Sequence, residues 1–271
     1  MTDAVVQEFY SRQVRAEWRR LIKNPYHRLE FDTTLHFLDK YMPPHGSVLD
    51  AGGGPGRYTL ELAKKGYDVT LLDATQANLD FAKRMLRRNG MQKRVKLITA
   101  GSIVDLSQFS EGRFDAVLCS GGPLSHVLDP HQRERAISEL VRVVKPGAPI
   151  FVSVIGRLAV LKVILIESQA EIDMPHFKLL RDTGDYLGER GFTACHFFLP
   201  EEFRQAFTRL DIQILEMAGL EGLSSNHNRQ LNQLAKDNKL YKVWLDTHLQ
   251  TCTHPSAVGM SEHMLIVCRK V

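Results

Sequence analysis

Val48-Leu49-Asp50-Ala51-Gly52-Gly53-Gly54-Pro55-Gly56-Arg57-Tyr58 is the stretch that decides the fold of this chain. An apolar run ends in an acid, glycines then recur at every second position, and a helix-compatible pattern begins. The physical reading is a buried strand, a turn too tight for side chains, and a helix start. Glycines in such a turn let the backbone approach a ligand where a Cβ would collide with it. A dinucleotide fingerprint beginning at Gly52 would need glycine at position 57, where the chain has Arg57, so a nicotinamide oxidoreductase is disfavoured. A phosphate loop would close on Gly-Lys-Ser/Thr, which is also absent. What remains is acid-x-Gly-x-Gly-x-Gly: Asp50, Gly52, Gly54 and Gly56.

The next strand strengthens the pattern. Asp68-Val69-Thr70-Leu71-Leu72-Asp73 is mostly apolar and ends in a carboxylate. In βαβ nucleoside-binding units an acid at the tip of the second strand accepts hydrogen bonds from ribose hydroxyls. Asp73 lies 17 residues after Gly56, room for one helix (Tyr58 to Lys65) and one strand. Capping the helix that begins near Gln76 is the other role open to Asp73, and the two are compatible.

The same alternation extends in both directions. Strands are predicted at Ser47–Asp50, Val69–Asp73, Val95–Thr99, Phe114–Cys119 and Pro149–Val154, with helices at Tyr58–Lys65, Gln76–Asn89 and His131–Val144. Alternating β and α elements of this size argue for a parallel sheet covered on both faces. Upstream, residues 2–23 and His27–Tyr41 read as helices separated by Asn24-Pro25. Downstream the rhythm stops: Arg157–Ile172 is a long apolar helix pattern and residues 173–195 are irregular and polar. Pro200–Leu210 then reads as a helix, Ile212–Met217 as a strand, His227–Leu249 as helical and Met264–Arg269 as a final strand.

The acid-x-Gly-x-Gly-x-Gly loop resembles motif I of class I S-adenosylmethionine-dependent methyltransferases. The resemblance covers 47–154 in detail and 200–271 at the level of pattern. It implies a Rossmann-like, doubly wound α/β fold: a seven-stranded, mostly parallel sheet with an antiparallel last strand and a helical N-terminal lid. The expected divisions are a lid at 1–45, a cofactor-binding core at 46–155, a substrate-covering insertion at 156–199, and completion of the sheet at 200–271. The implied cofactor is S-adenosyl-L-methionine, bound by Asp50, Gly52, Gly54, Gly56, Asp73 and Ala74 from the first two strand ends. After the third strand, Gly101, Ser102 and Ile103 would meet the adenine. Ser102 stands where the family often has an acid for the adenine amino group; a hydroxyl can accept that bond without charge assistance. Ser120 and Gly121, after the fourth strand, would line the methionine moiety, and Tyr10 would reach the site from the lid.

The loop Gly121-Gly122-Pro123-Leu124-Ser125-His126 resembles that of small-molecule methyltransferases. It lacks the Pro-Pro-aromatic motif of base-amino enzymes, and Cys119 reads as an apolar filler at a strand end rather than a nucleophile. His126 is the candidate catalytic base, since an imidazole with an ordinary pKa near 6.5 suits proton removal at neutral pH. Shaping the loop by local hydrogen bonds is its alternative role. Tyr26 and Glu30 in the N-terminal helices, and the segments around His196-Phe197-Phe198 and 221–227, are further candidate walls; Trp18 is better placed in the core.

The expected activity is methyl transfer by in-line displacement to an O, N, S or C atom of a small-molecule acceptor. The alternatives are an RNA methyltransferase and a non-catalytic module that keeps the cofactor pocket. Nucleic acid is not the expected partner: the net charge is only +4, and Lys83, Arg84, Arg87 and Arg88 fall on the solvent face of one helix. Arg15, Arg19, Arg20 and Lys23 lie nearer the lid, where they would attract an anionic group. Four scattered cysteines give neither a disulfide framework nor a zinc site, so no metal is expected. The N-terminal segment lacks a secretory apolar core, and Leu158–Ile166 is too short to span a bilayer, so a cytoplasmic protein without a membrane partner is expected.

Overall fold

The computed structural model describes residues 2–271. Two helices, α1 (Thr2–Arg20) and α2 (Pro25–Tyr41), precede the first strand, β1 (Ser47–Ala51). The alternation then runs α3 (Arg57–Lys64), β2 (Asp68–Asp73), α4 (Gln76–Arg88), β3 (Val95–Ala100), β4 (Ala116–Cys119), α5 (Pro130–Val143) and β5 (Pro149–Ile155). An insertion follows: α6 (Arg157–Glu167), α7 (Pro175–Thr183) and two short paired strands, β6 (Asp185–Tyr186) and β7 (Cys195–His196). The chain closes with α8 (Pro200–Gln205), β8 (Ile212–Gly219), α9 (Asn228–Leu234), α10 (Asn238–Thr251), α11 (Pro255–Gly259) and β9 (His263–Lys270).

Seven strands form one sheet in the order β3-β2-β1-β4-β5-β9-β8. The pairs among the first five are parallel, and β9 runs antiparallel to both β5 and β8. The fold expected from the sequence is therefore the fold observed, with the last strand inserted between β5 and the edge. The strand order reverses between β1 and β4, and this switch point is where open α/β sheets bind ligands.

Successive residues of the central strands face opposite layers. Leu49, Val117 and Val152 pack with Ile137, Leu140 and Phe203 on one side. Val48, Leu118 and Phe151 pack with Phe31, Phe37 and Leu62 on the other. Each such side chain contributes about 1.5–3 kcal/mol on burial, which is why these strands read as continuous apolar runs rather than alternating ones. Cys119 belongs to the first of these layers and is fully buried.

Several elements differ from the sequence reading. Asn24-Pro25 does not merely break a helix: the Asn24 side chain accepts from the His27 amide at 3.1 Å and caps α2, with Pro25 in its first turn. The apolar pattern from Arg157 yields a helix only to Glu167, followed by one tight turn. The polar stretch after it holds α7, β6 and β7. The segment 227–249 is two helices, because the Asp237 side chain accepts from the Lys239 and Leu240 amides and starts α10 afresh.

The insertion is tied to the sheet through Arg157, whose buried guanidinium donates to the Phe197 and Thr183 carbonyls (3.0 and 2.9 Å) and to Glu202 (3.0 Å). Beside it His196 lies between two carboxylates, Asp185 Oδ1 at 2.6 Å and Glu202 Oε1 at 2.5 Å. His196, Phe197 and Phe198 thus act inside the structure and do not line the cleft described below.

Candidate active site

At the carboxyl ends of β1, β2, β3 and β4 lies a cleft of about 1080 Å³, counting its open mouth. The glycine loop forms its floor. The Gly52 and Gly53 amides donate to the Leu72 carbonyl at 2.7 and 3.1 Å, which binds the loop to the end of β2. Gly54 has φ +56°, a backbone geometry that favours glycine, and a Cβ there would find nothing nearer than Asn78 Nδ2 at 3.9 Å. The loop therefore presents bare backbone to the cleft.

Asp73 sits at the base. Its Oδ2 accepts from the Gly54 amide at 2.8 Å, and its Oδ1 from the Thr75 amide (2.9 Å) and Asn78 Nδ2 (3.1 Å). Burial raises the Asp73 pKa, and these three donors oppose that rise. An ionised carboxylate offers about four acceptor sites, so one is left for a ligand hydroxyl. Ala74, Gly101, Ser102 and Ile103 continue the wall along β2 and β3, and Ser120 and Gly121 form it at β4.

Asp50 and Gly56 do not line the cleft. Asp50 is fully buried beneath the loop, where Oδ2 accepts from the Thr59 hydroxyl at 2.6 Å. Burial pushes its carboxyl up to about 6, against the Thr59 hydrogen bond. A Cβ on Gly53 would lie 2.5 Å from the Asp50 carboxyl carbon, so this acid sets the height of the loop. Gly56 starts α3 with φ +81° and lets that helix approach Ala82 of α4.

The roof is α1. Arg57, the residue that spoils the dinucleotide fingerprint, stacks 3.6 Å over the Trp18 ring and donates to the Trp18 carbonyl at 2.6 Å. Trp18 in turn packs on Phe81 of α4, so α1 is pinned over α3 and α4. This places Tyr10, Glu17 and Arg20 on the cleft. Arg20 donates to Glu17 at 2.8 Å and makes a forked pair with Glu30. Burial acts to lower the Arg20 pKa, but Glu30 and Glu17 hold it well above its ordinary value. Two of its five N–H groups remain for a ligand. Glu30 itself lies behind Arg20, and Tyr26 is occupied by Glu262 at 2.6 Å; neither lines the cleft. Of the basic residues near the lid, Arg20 turns inward while Arg15, Arg19 and Lys23 are exposed.

His126 occupies the far end of the cleft, in a short turn after β4. Its Nδ1 lies 2.9 Å from the Ala194 carbonyl of the insertion, and its Nε2 lies 2.8 Å from the Tyr10 hydroxyl. Burial lowers its pKa, which keeps the ring neutral at pH 7.

Sequence reasoning missed Glu17, Asn78, Thr75 and Pro123 among the lining residues. Asn78 carried a usable signal: it is one turn into the helix after Asp73, a position that faces back to the strand end. Glu17 carried none, because the facing side of α1 is set by the Arg57–Trp18 contact. The segment 221–227 lies away from the cleft, with Glu221 bonded to Ser261 (2.9 Å) and His263 (2.7 Å).

No helix among the described residues is long and apolar enough to cross a membrane. Residues 48–147 match the family model described as a methyltransferase domain. A ubiquinone biosynthesis O-methyltransferase of Chromobacterium violaceum is 34% identical over 126 residues, 46% of this chain and 51% of that protein. A glycine/sarcosine N-methyltransferase of Parasynechococcus marenigrum is 31% identical over 147 residues, 53% of this chain and 49% of that protein. The chain thus spans about half the length of these curated relatives. Among solved structures, an S-adenosylmethionine-dependent methyltransferase from Methanosarcina mazei aligns over 87% of this chain and 97% of its own, with a TM-score of 0.61 and 22% identity. Residues 48–147, on this sheet order and around this glycine loop, are thus similar to a methyltransferase domain.

Proposed function

We propose that the protein is an S-adenosylmethionine-dependent methyltransferase acting on a small-molecule acceptor. The observation that carries this reading is the glycine floor with Asp73 at its base: bare backbone beside a carboxylate with capacity left for a hydroxyl donor. The residues present fit the cofactor's parts. Asp73 suits a ribose diol, Ile103 and Gly101 suit the flat face and edge of a base, and Ser102 offers a hydroxyl to an adenine amino group. Ser120 Oγ is buried without a hydrogen-bond partner in the protein, at the wall assigned to the methionine moiety. Arg20 offers free N–H groups to an α-carboxylate, and Tyr10 closes the site from above. Asp50 and Gly56 serve by holding the loop rather than by contact.

When bound, the cofactor supplies a methyl carbon activated by positive sulfur. The chain's contribution is alignment, which can account for about 7–11 kcal/mol of barrier lowering, and a means of removing the acceptor's proton. At the acceptor end, His126 carries a basic nitrogen in its neutral ring, hydrogen-bonded to the Tyr10 hydroxyl. Residues 1–45 serve as a lid, 46–155 as the cofactor core, 156–199 as the cover that brings Ala194 to His126, and 200–271 as completion of the sheet. The four cysteines are free and buried, in keeping with a cytoplasmic protein. The exposed basic residues of α4 lie on its solvent side rather than on the cleft, which argues against an RNA substrate. Transfer of label from methyl-labelled S-adenosylmethionine to one of a panel of small hydroxyl, amine and thiol compounds tests the proposal. Binding of the cofactor without transfer to any of them would favour a non-catalytic module instead.

A further inference from the structure

The contact between Tyr10 and His126 constrains how a proton can leave the acceptor. Ala194 offers His126 Nδ1 a carbonyl oxygen at 2.9 Å, and a carbonyl only accepts. Nδ1 therefore carries the hydrogen, and in the neutral ring Nε2 carries the lone pair. That lone pair is already taken: the Tyr10 hydroxyl donates to it at 2.8 Å, with the two rings edge to face at 5.2 Å between centroids. Phe192 of the insertion packs against both His126 (5.7 Å) and Phe9 (5.7 Å), so the pair is held from both sides. A ligand cannot reach Nε2 without displacing Tyr10. The Tyr10 oxygen, by contrast, has donated its hydrogen and keeps an accepting lone pair, and Tyr10 lines the cleft.

Resting on the transferase reading above, we infer that Tyr10 is the catalytic residue that touches the acceptor, that its proton goes to His126, and that the acceptor is a phenol or enol. The chemistry selects this class. A neutral amine attacks with its own lone pair, and a thiol ionises near pH 8.5, so neither needs an enclosed relay. A phenol ionises near pH 10, so at neutral pH its proton must be taken by a positioned group, and the Tyr10 oxygen can receive it as the Tyr10 proton passes to His126. As the acceptor oxygen forms its bond to the methyl carbon, the methyl–sulfur bond breaks and its electron pair stays on sulfur. The acceptor's O–H proton goes to the Tyr10 oxygen, and the proton Tyr10 held goes to His126 Nε2. The products are a methyl ether, a neutral thioether, neutral Tyr10 and a charged imidazolium, which later returns its proton to water. The groups facing the pair suit this path: Glu17 and Arg20 from α1, Asp73 from β2 and Cys195 from β7. Burial, then Glu17, raise the Tyr10 pKa, so it passes the proton on rather than resting as phenolate.

The test uses the full chain, with catechol, benzylamine and thiophenol as acceptors and labelled S-adenosylmethionine as donor. Methyl transfer to catechol is expected. Tyr10→Phe should lower kcat about 10²–10⁴-fold while leaving S-adenosylhomocysteine affinity within twofold, and should steepen the dependence of the residual rate on hydroxide. Unchanged kcat in the variant, a preference for benzylamine or thiophenol, or no transfer to catechol by protein that binds S-adenosylhomocysteine would each overturn the inference. A second readout needs no turnover: nitrogen NMR of the His126 ring at pH 7. The Nδ1–H tautomer is expected, with an Nε2 signal that moves in Tyr10→Phe; the other tautomer, or a signal indifferent to the variant, overturns the relay. Failure to bind S-adenosylhomocysteine at all is a separate result, which removes the transferase reading and not the Tyr10–His126 bond.

Discussion

Gly53 and Gly54 are neighbours in the loop, and replacing each with alanine should have opposite consequences. A Cβ on Gly54 meets nothing in the protein closer than 3.9 Å, so its cost to folding is the left-handed backbone alone, about 1–2 kcal/mol. At roughly 2–4 °C per kcal/mol for a domain of this size, melting falls only modestly. That same methyl group projects into the cleft, where the ligand should be. Overpacking by one methyl costs about 1–3 kcal/mol, equivalent to roughly a 5–150-fold rise in Kd. A Cβ on Gly53 instead points down, 2.5 Å from the Asp50 carboxyl carbon and 2.6 Å from Leu71 Cδ1. Its cost falls on folding, because two fully buried side chains must move. Calorimetry with S-adenosylhomocysteine, paired with thermal melts of Gly53→Ala and Gly54→Ala, separates the two. Gly54→Ala binding as tightly as the parent protein would refute the assignment of the glycine floor as the ligand-contact surface.

Other perturbations read other parts of the site. Asp73→Asn keeps the volume but sets an amide N–H against a loop donor and removes the charge offered to a hydroxyl. S-adenosylhomocysteine affinity should fall about 10–100-fold, the range of a lost charge-assisted hydrogen bond, and unchanged affinity by calorimetry would reject the ribose role. His263 governs the pH response of the lid's anchor. Burial alone would lower its pKa, but Glu30 and Glu221 raise it to about 9, with Arg20 opposing them. A folded value above the ordinary 6.5 means the stabilisation is complete below pH 6.5 and is lost as pH rises towards about 9. Melting temperature should decline across that window in the parent protein and lose this component in His263→Gln; identical slopes would dismiss the ion network as a source of stability.

The loop and the sheet were legible because they rest on local constraints. A turn that must expose backbone needs Gly52 and Gly54, and strands buried on both faces need runs such as Val69–Leu72. Asp73 was legible because strand ends in this architecture converge on one place. The role of Asp50 was not, since the acid before the loop points beneath it, and only the Thr59 contact reveals that direction. Tyr10 and His126 could each be singled out, yet their bond joins residues 116 positions apart through a carbonyl from the insertion, and no spacing rule encodes it. Arg20 stood among four basic residues near the lid, and the one that turns inward is selected by Glu30 on the next helix. The polar stretch before Cys195 hid α7 and the two short strands because its order comes from Arg157 and His196, buried partners distant in sequence.

Titration of the unmodified protein with S-adenosylhomocysteine, followed by competition with S-adenosylmethionine, tests the cofactor site most directly. A saturable one-to-one isotherm for the first, displaced by the second, is the predicted result. No saturable binding of either by folded protein would contradict the assignment of this cleft to the methyl donor.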